Sequence, residues 1–297
     1  MQGLLLIDKP KGITSFNAVA VIRRIYGEKR VGHTGTLDPM ATGVLPIFVG
    51  RPTVLSQYLL KADKEYFAKV RLGITTDTLD ITGNVLKTSD VNVTFDMLNN
   101  VAKEFVGNIE QIPPMYSAIK QDGKKLCDLA RNGKEVARKS RTVNIKKLEI
   151  SDFDGTEFCM KVLCSKGTYI RTLADDIGKK LNTGAAICEL RRTATAGFTI
   201  DECTPLDLIN ENNACSILKN EECAVLNYPA IYITEKQAFR FTNGGALSLE
   251  RLKISDDFIS GQIFRVKFED KFLGLGKIDT CNELLSVETL VNFMRNE

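Results

Sequence analysis

Between Glu65 and Gly73 the chain alternates strictly, with Tyr66, Ala68, Val70 and Leu72 on one side and Phe67, Lys69 and Arg71 on the other. A period of two sends successive side chains to opposite faces of a pleated strand, so this segment belongs in a sheet with one face covered by apolar material. Tyr66 lies on the covered face, where packing in the sheet core is its ordinary role. The neighbouring segments supply further strands and the cover. Residues 3–7 form a short apolar run of buried-strand type, and the turn Lys9-Pro10-Lys11-Gly12-Ile13-Thr14-Ser15 ends in a helix N-cap at Thr14 or Ser15. Ala18, Val19, Ile22, Ile25 and Tyr26 then recur at spacings of three and four, which is one face of a helix. A strand is predicted over 45–49, and a second helix carries Val54, Leu55, Tyr58 and Leu59.

Further along, Pro113-Pro114 forbids a continuing helix. Strands are predicted over 143–150 and 158–164, and Ser165-Lys166-Gly167-Thr168 turns the chain into a helix bearing Ile170, Leu173, Ile177 and Leu181. Arg171 opens that helix, with an i, i+4 pair to Asp175 as its plain structural role. Asparagine-rich residues 210–220 read as a surface connection. Beyond it, Ile231-Tyr232-Ile233, the turn at Asn243-Gly244-Gly245 and a strand pair over 261–268 and 272–277 around Glu269-Asp270 form a small β-rich unit.

The stretch from Gly32 to Gly43 has neither period. It holds the only histidine of the chain, three glycines and an Asp38-Pro39 step in twelve residues. Such a loop allows a ligand to approach the main chain closely. Asp38 is either an N-cap with Pro39 at the first helical position or a carboxylate aimed outward by a turn. Net charge is only +3, but ten basic against three acidic residues between Lys120 and Lys147 give that segment +7, either a solvated helix face or a phosphate-binding surface. Eight cysteines without a Cys-x-x-Cys pair, and a single histidine, make a metal site improbable and suit reduced cytoplasmic thiols. No run reaches membrane-spanning length, and the start lacks the form of a signal peptide.

Six segments in order resemble the TruB family of tRNA pseudouridine synthases: Lys9 to Ser15, Gly32 to Gly43, Lys64-Glu65-Tyr66, Thr76-Asp77-Thr78-Leu79-Asp80, Pro113 to Ala118, and Cys164 to Thr172. The similarity is strong over about residues 1–200, and the last 70 or so resemble the family's PUA-type RNA-binding unit. The resemblance implies an α+β fold: a mixed, mostly antiparallel sheet flanked by helices in a catalytic domain over 1–225, and a PUA-like domain over 226–297. It also implies that the basic excursion at about 118–142 is the insertion gripping the T-stem and loop of tRNA, with Lys124, Lys125, Arg138 and Lys139 on the RNA backbone.

The activity so implied is isomerisation of the T-loop uridine at position 55 of tRNA, with no cofactor, no metal and no obligatory protein partner, in a cytoplasmic monomer. Asp38 matches the family's nucleophile and Arg171 the arginine that pairs with it, a guanidinium that keeps a buried carboxylate charged. Tyr66 matches the tyrosine that stacks on the target base and helps remove the C5 proton. Tyr169 and Leu190 match further pocket positions, although Leu190 by itself reads as core. His33, ordinarily a structural residue, is assigned to the RNA, filling the space of the flipped base. The absence of a nucleotide fingerprint or phosphate loop agrees with a reaction that needs no redox or energy source. Two other readings are a tRNA-folding helper in which modification is secondary and a subunit of a guide-RNA machine. The latter ranks low because the chain starts almost at its first motif.

Overall fold

The computed structural model describes residues 1–121, 123–252 and 258–294. Its larger sheet has ten strands. From one edge to the other the main path runs Thr204–Pro205, Gly3–Lys9, Thr42–Val49, Ala185–Thr195, Lys64–Leu72, Glu157–Cys164, Arg141–Ser151 and Gly107–Gln111. Val31–His33 also pairs with Thr42–Val49, and Phe198–Thr199 with Ala185–Thr195. Two pairings are parallel, Gly3–Lys9 with Thr204–Pro205 and Thr42–Val49 with Ala185–Thr195; the others are antiparallel. This is the mixed, mostly antiparallel sheet expected.

The apolar run Leu4-Leu5-Leu6-Ile7 is continuous because both faces of its strand are covered. Leu5 and Ile7 join a cluster with the helices Ser15–Tyr26 and Ile170–Lys180, through Ala18, Ile22, Leu173 and Ile177. Leu4 and Leu6 face the other way, packing with Phe48, Leu55 and, from the C-terminal unit, Phe272, Leu275 and Val291. Each such side chain removed from water contributes about 1.5–3 kcal/mol. Lys64–Leu72 keeps its alternation, with Tyr66, Ala68, Val70 and Leu72 buried and Phe67 and Arg71 exposed. The first helix is capped by Thr14, whose hydroxyl accepts from the Asn17 N–H.

Three readings are sharpened. Residues after Pro39 do not form a helix; the chain turns and enters the strand Thr42–Val49. The second helix divides into a 3-10 turn, Arg51–Leu55, and a short α-helix, Ser56–Leu60. The 210–220 connection is tied to the core: the Tyr26 hydroxyl donates to the Ala214 carbonyl at 2.6 Å, and Leu4 and Lys219 exchange backbone hydrogen bonds.

The C-terminal unit is a five-stranded sheet ordered Ala230–Tyr232, Ile263–Phe268, Lys271–Asp279, Leu284–Leu290 and Leu247–Ser248. The expected hairpin turns at Glu269-Asp270, with Glu269 at φ 50°. A helix, Glu235–Thr242, which the sequence pattern did not reveal, starts in a capping box between Thr234 and Gln237.

Candidate active site

Asp38 sits on a loop braced on both sides. The Ala41 N–H donates to the Asp38 carbonyl at 3.1 Å, closing a turn with Asp at its first position and Pro at its second, the chemistry such turns favour. The Gly12 N–H donates to the Pro39 carbonyl at 2.8 Å, and the Ser15 hydroxyl accepts from the Leu37 N–H at 2.8 Å while donating to the Leu37 carbonyl at 3.1 Å. The turn at residues 9–15 therefore clamps the residues flanking Asp38. Behind the loop, a side chain at Gly43 (φ 106°) would place its Cβ 2.2 Å from the Arg192 carbonyl, so only glycine lets the two strands meet there.

Arg171 reaches this loop from the first turn of Ile170–Lys180. Its Nε lies 2.9 Å from Asp38 Oδ2, Nη1 donates to the Thr78 carbonyl and Nη2 to the Tyr116 carbonyl, each at 2.7 Å. The expected partner Asp175 pairs instead with Lys179, at 2.6 Å. A second carboxylate that was given no role, Asp80, lies 3.7 Å from Arg171 Nη1. Asp80 is itself fixed, accepting from the Thr78 hydroxyl and the Thr82 N–H, each at 2.9 Å. Burial pushes the Asp38 carboxyl above the usual carboxylate range, the Arg171 guanidinium opposes this, and the Asp80 charge adds to the rise.

Asp38, Tyr66, Tyr169, Arg171 and Leu190 all line one cavity of about 340 Å³, towards the small end for ligand pockets. Tyr66 has a dual placement, in the core cluster and at the cavity wall. Its hydroxyl is pushed up by burial and down by Arg192, its cross-strand neighbour. Leu190 stands opposite Ala68 and is 7% exposed. Tyr169 caps its helix. Gln111 holds its backbone at both ends, accepting from the Tyr169 N–H at 3.0 Å and donating to its carbonyl at 3.2 Å.

His33 ends the strand Val31–His33 and is not part of the cavity wall; its Nδ1 accepts from the Gly35 N–H at 3.3 Å. Burial and then Arg192 hold its imidazole below the usual histidine value, so it is neutral at pH 7. Lys124, Arg138 and Lys139 of the excursion are not part of the cavity wall. Lys124 and Lys139 are exposed, whereas Arg138 donates to the Pro113 carbonyl at 3.2 Å and pairs with Glu135 at 3.1 Å. The Lys125 side chain lies outside the described residues.

Sequence reasoning missed Asp80, Gln111, Lys64 and Arg192. Asp80 and Lys64 stand inside motifs that carry the family resemblance, but nothing local points to their partners.

A family model described as the N-terminal domain of the TruB family pseudouridylate synthases matches residues 23–170, and one described as the tRNA pseudouridylate synthase B C-terminal domain matches 171–225. The tRNA pseudouridine synthase B of Clostridium tetani is 45% identical over 278 residues, 93% of this chain and 96% of that protein. That of Aromatoleum aromaticum is 43% identical over 295 residues, 98% and 93%. A solved chain from a Cbf5-Nop10-Gar1 complex superposes with a TM-score of 0.74 at 29% identity, covering 98% of this chain and 85% of that one. One from an H/ACA RNP bound to a substrate RNA containing 2′-deoxyuridine gives 0.72 at 26%, with the same coverage.

Proposed function

This chain belongs to the TruB family of pseudouridylate synthases, and we propose that it converts the T-loop uridine of tRNA, position 55, to pseudouridine, with Asp38 as the nucleophile. The observation that carries this reading is the 2.9 Å contact of Arg171 with Asp38 at the wall of a cavity of about 340 Å³. In the reaction the N1–C1′ bond breaks, the base turns, the C5–C1′ bond forms and the C5 proton leaves, restoring a proton to N1. Composition is unchanged. Asp38 supplies the ionised oxygen, and the fixed guanidinium keeps that oxygen charged although burial favours its protonated form.

Tyr66 stacks on the flipped base and assists removal of the C5 proton, with Tyr169 and Leu190 bounding the base. His33, neutral and half-buried beside Gly35, fills the stack that the uridine leaves, which offsets part of the few kcal/mol that flipping costs. Lys124, Lys125 and Lys139 hold the T-stem backbone, Arg138 of the same excursion braces the Pro113 carbonyl instead, and residues 226–297 form the PUA-like domain beside a catalytic domain over 1–225. The protein acts as a cytoplasmic monomer. No helix among the described residues is long and apolar enough to cross a membrane.

The test is incubation with unmodified tRNA followed by chemical mapping of pseudouridine. Product at the T-loop uridine, lost in Asp38→Asn with tRNA binding retained, is the expected result. Folded protein that yields no product there overturns the reading. Because the grip lies on other elements than Asp38, the same variant also measures a folding-helper role: growth benefit retained by Asp38→Asn assigns that benefit to RNA handling.

A further inference from the structure

The cavity holds more positive charge than its chemistry with uracil requires. Lys64, Lys166, Arg171 and Arg192 line it, against one carboxylate, Asp38. Asp38 is taken by Arg171. Three further acids nearby are paired elsewhere: Asp8 with Arg191, Glu65 with Lys161 and Asp63 with Lys146. Arg192 is 0% exposed and Lys64 8%, yet among the described residues neither has a carboxylate within 4 Å. Arg192 donates to carbonyls, Nε to Val44 at 2.7 Å and Nη2 to Gly35 at 3.1 Å, and Lys64 Nζ likewise to Ala62 at 2.6 Å. Buried cations without counter-charges are costly, and burial followed by the Arg192 charge holds the Lys64 amine down at about 8. Such a pair is poised for an anion brought by a ligand.

The two side chains converge at Gly35. A Cβ at that residue would lie 3.4 Å from Arg192 Nη1 and 3.7 Å from Lys64 Cε, and Gly35 itself lines the cavity three residues before Asp38. Glycine there keeps open a space bounded by both cations. A uracil base carries no charge; the anion that must accompany a flipped nucleotide is its phosphodiester. We propose that Lys64 and Arg192, beneath Gly35, form a phosphodiester subsite that takes a backbone phosphate immediately flanking the flipped uridine. The subsite rests on the pseudouridylation reading. Lys64 is the direct ligand and Arg192, deeper, supplies the field and holds the Gly35 carbonyl.

The experiment uses T-stem-loop RNAs in which the linkage on the 5′ or the 3′ side of the target uridine is a neutral methylphosphonate. Single-turnover kcat/KM is measured with the wild-type protein, Lys64→Gln and Lys64→Arg. Neutralising one of the two linkages is expected to slow the wild type by about tenfold or more, the size of one charge-assisted hydrogen bond. Lys64→Gln starts slower by a similar factor, and the same linkage then costs it less than about twofold, whereas Lys64→Arg retains the wild-type penalty. Equal penalties in wild type and Lys64→Gln overturn the subsite. So does a wild type indifferent to both linkages, a result that needs no variant to fold. If the wild type fails to convert even the all-phosphodiester RNA, it is the functional reading that falls.

Discussion

Arg171 in the cleft is 4% exposed at its side chain and touches a carboxylate and two carbonyls drawn from three separate loops. In the basic excursion, Lys120, Lys124, Lys134 and Lys139 are exposed, and none makes an ion pair among the described residues. The same kind of charge is thus used in two ways. In the cleft the guanidinium is held where water cannot replace it, so its removal strands the groups it binds and effects are large and specific to geometry. On the excursion water and salt substitute freely, so effects are small, additive and dependent on ionic strength.

The sharpest test of the cleft half of this contrast is Asp38→Asn. Product formation is expected to fall by about four orders of magnitude or more, with tRNA affinity within about twofold of wild type in a filter-binding assay. Stability should move the other way. Because folding raises the Asp38 pKa, its protonated form favours the fold, and that contribution is lost as pH rises from below its unfolded value near 3.8 through the raised folded value. At pH 7 Asp38→Asn should therefore melt at or above the wild-type temperature, and the difference should shrink as the pH is lowered towards 4. A variant that melts well below wild type at pH 7 would make Asp38 a structural anchor of its turn.

Arg171→Lys keeps the charge but not the fork. One ammonium cannot reach Asp38, Thr78 and Tyr116 in the same planar arrangement, so kcat should fall by about a hundredfold, with about 2–4 kcal/mol lost in denaturant unfolding. An activity within a few-fold of wild type would show that charge alone suffices.

The strand Lys64–Leu72 was legible because one face of it is apolar and local alternation carries that information. Thr14 was legible as a cap for the same local reason. Asp38 was not, since an N-cap and the first position of an Asp-Pro turn use the same two residues. What decides between them is that the chain beyond continues into Thr42–Val49, beside Ala185–Thr195. Arg171 could be paired only by analogy: its carbonyl partners lie 93 and 55 residues away, whereas the helical rule pointed to Asp175 four residues on. Lys64 and Arg192 were silent for the opposite reason, because what marks them is the carboxylate that each lacks among the described residues.

Asp80→Asn has a smaller expected effect, and it is read in the pH profile. Asp80 pushes the Asp38 carboxyl upward, so removing its charge should lower the Asp38 pKa and move the acid limb of the kcat/KM profile to lower pH. The plateau should drop only several-fold, through loosening of the loop at residues 76–82. An acid limb that stays in place would mean that Asp80 acts on Arg171 alone.

The smallest effects belong to the excursion, and they break the comparison most cleanly because Arg138 sits on its border. Neutralising Lys124, Lys125 and Lys139 together should make the slope of log Kd against log salt shallower by about 2, at roughly 0.7–0.9 for each phosphate no longer neutralised, with kcat at saturating tRNA unchanged. Arg138→Gln should do the reverse. Its guanidinium holds the Pro113 carbonyl at 3.2 Å, and three residues further on Tyr116 accepts from Arg171. Loss of one such hydrogen bond, about 1 kcal/mol, should lower kcat a few-fold and leave the salt slope nearly as it was. If Arg138→Gln instead flattens the slope like the lysines, its charge belongs to the RNA and the cleft ends at Pro113. If the lysine triple variant lowers kcat, the excursion also shapes the cleft, and the division between buried and exposed charge fails as a guide to function.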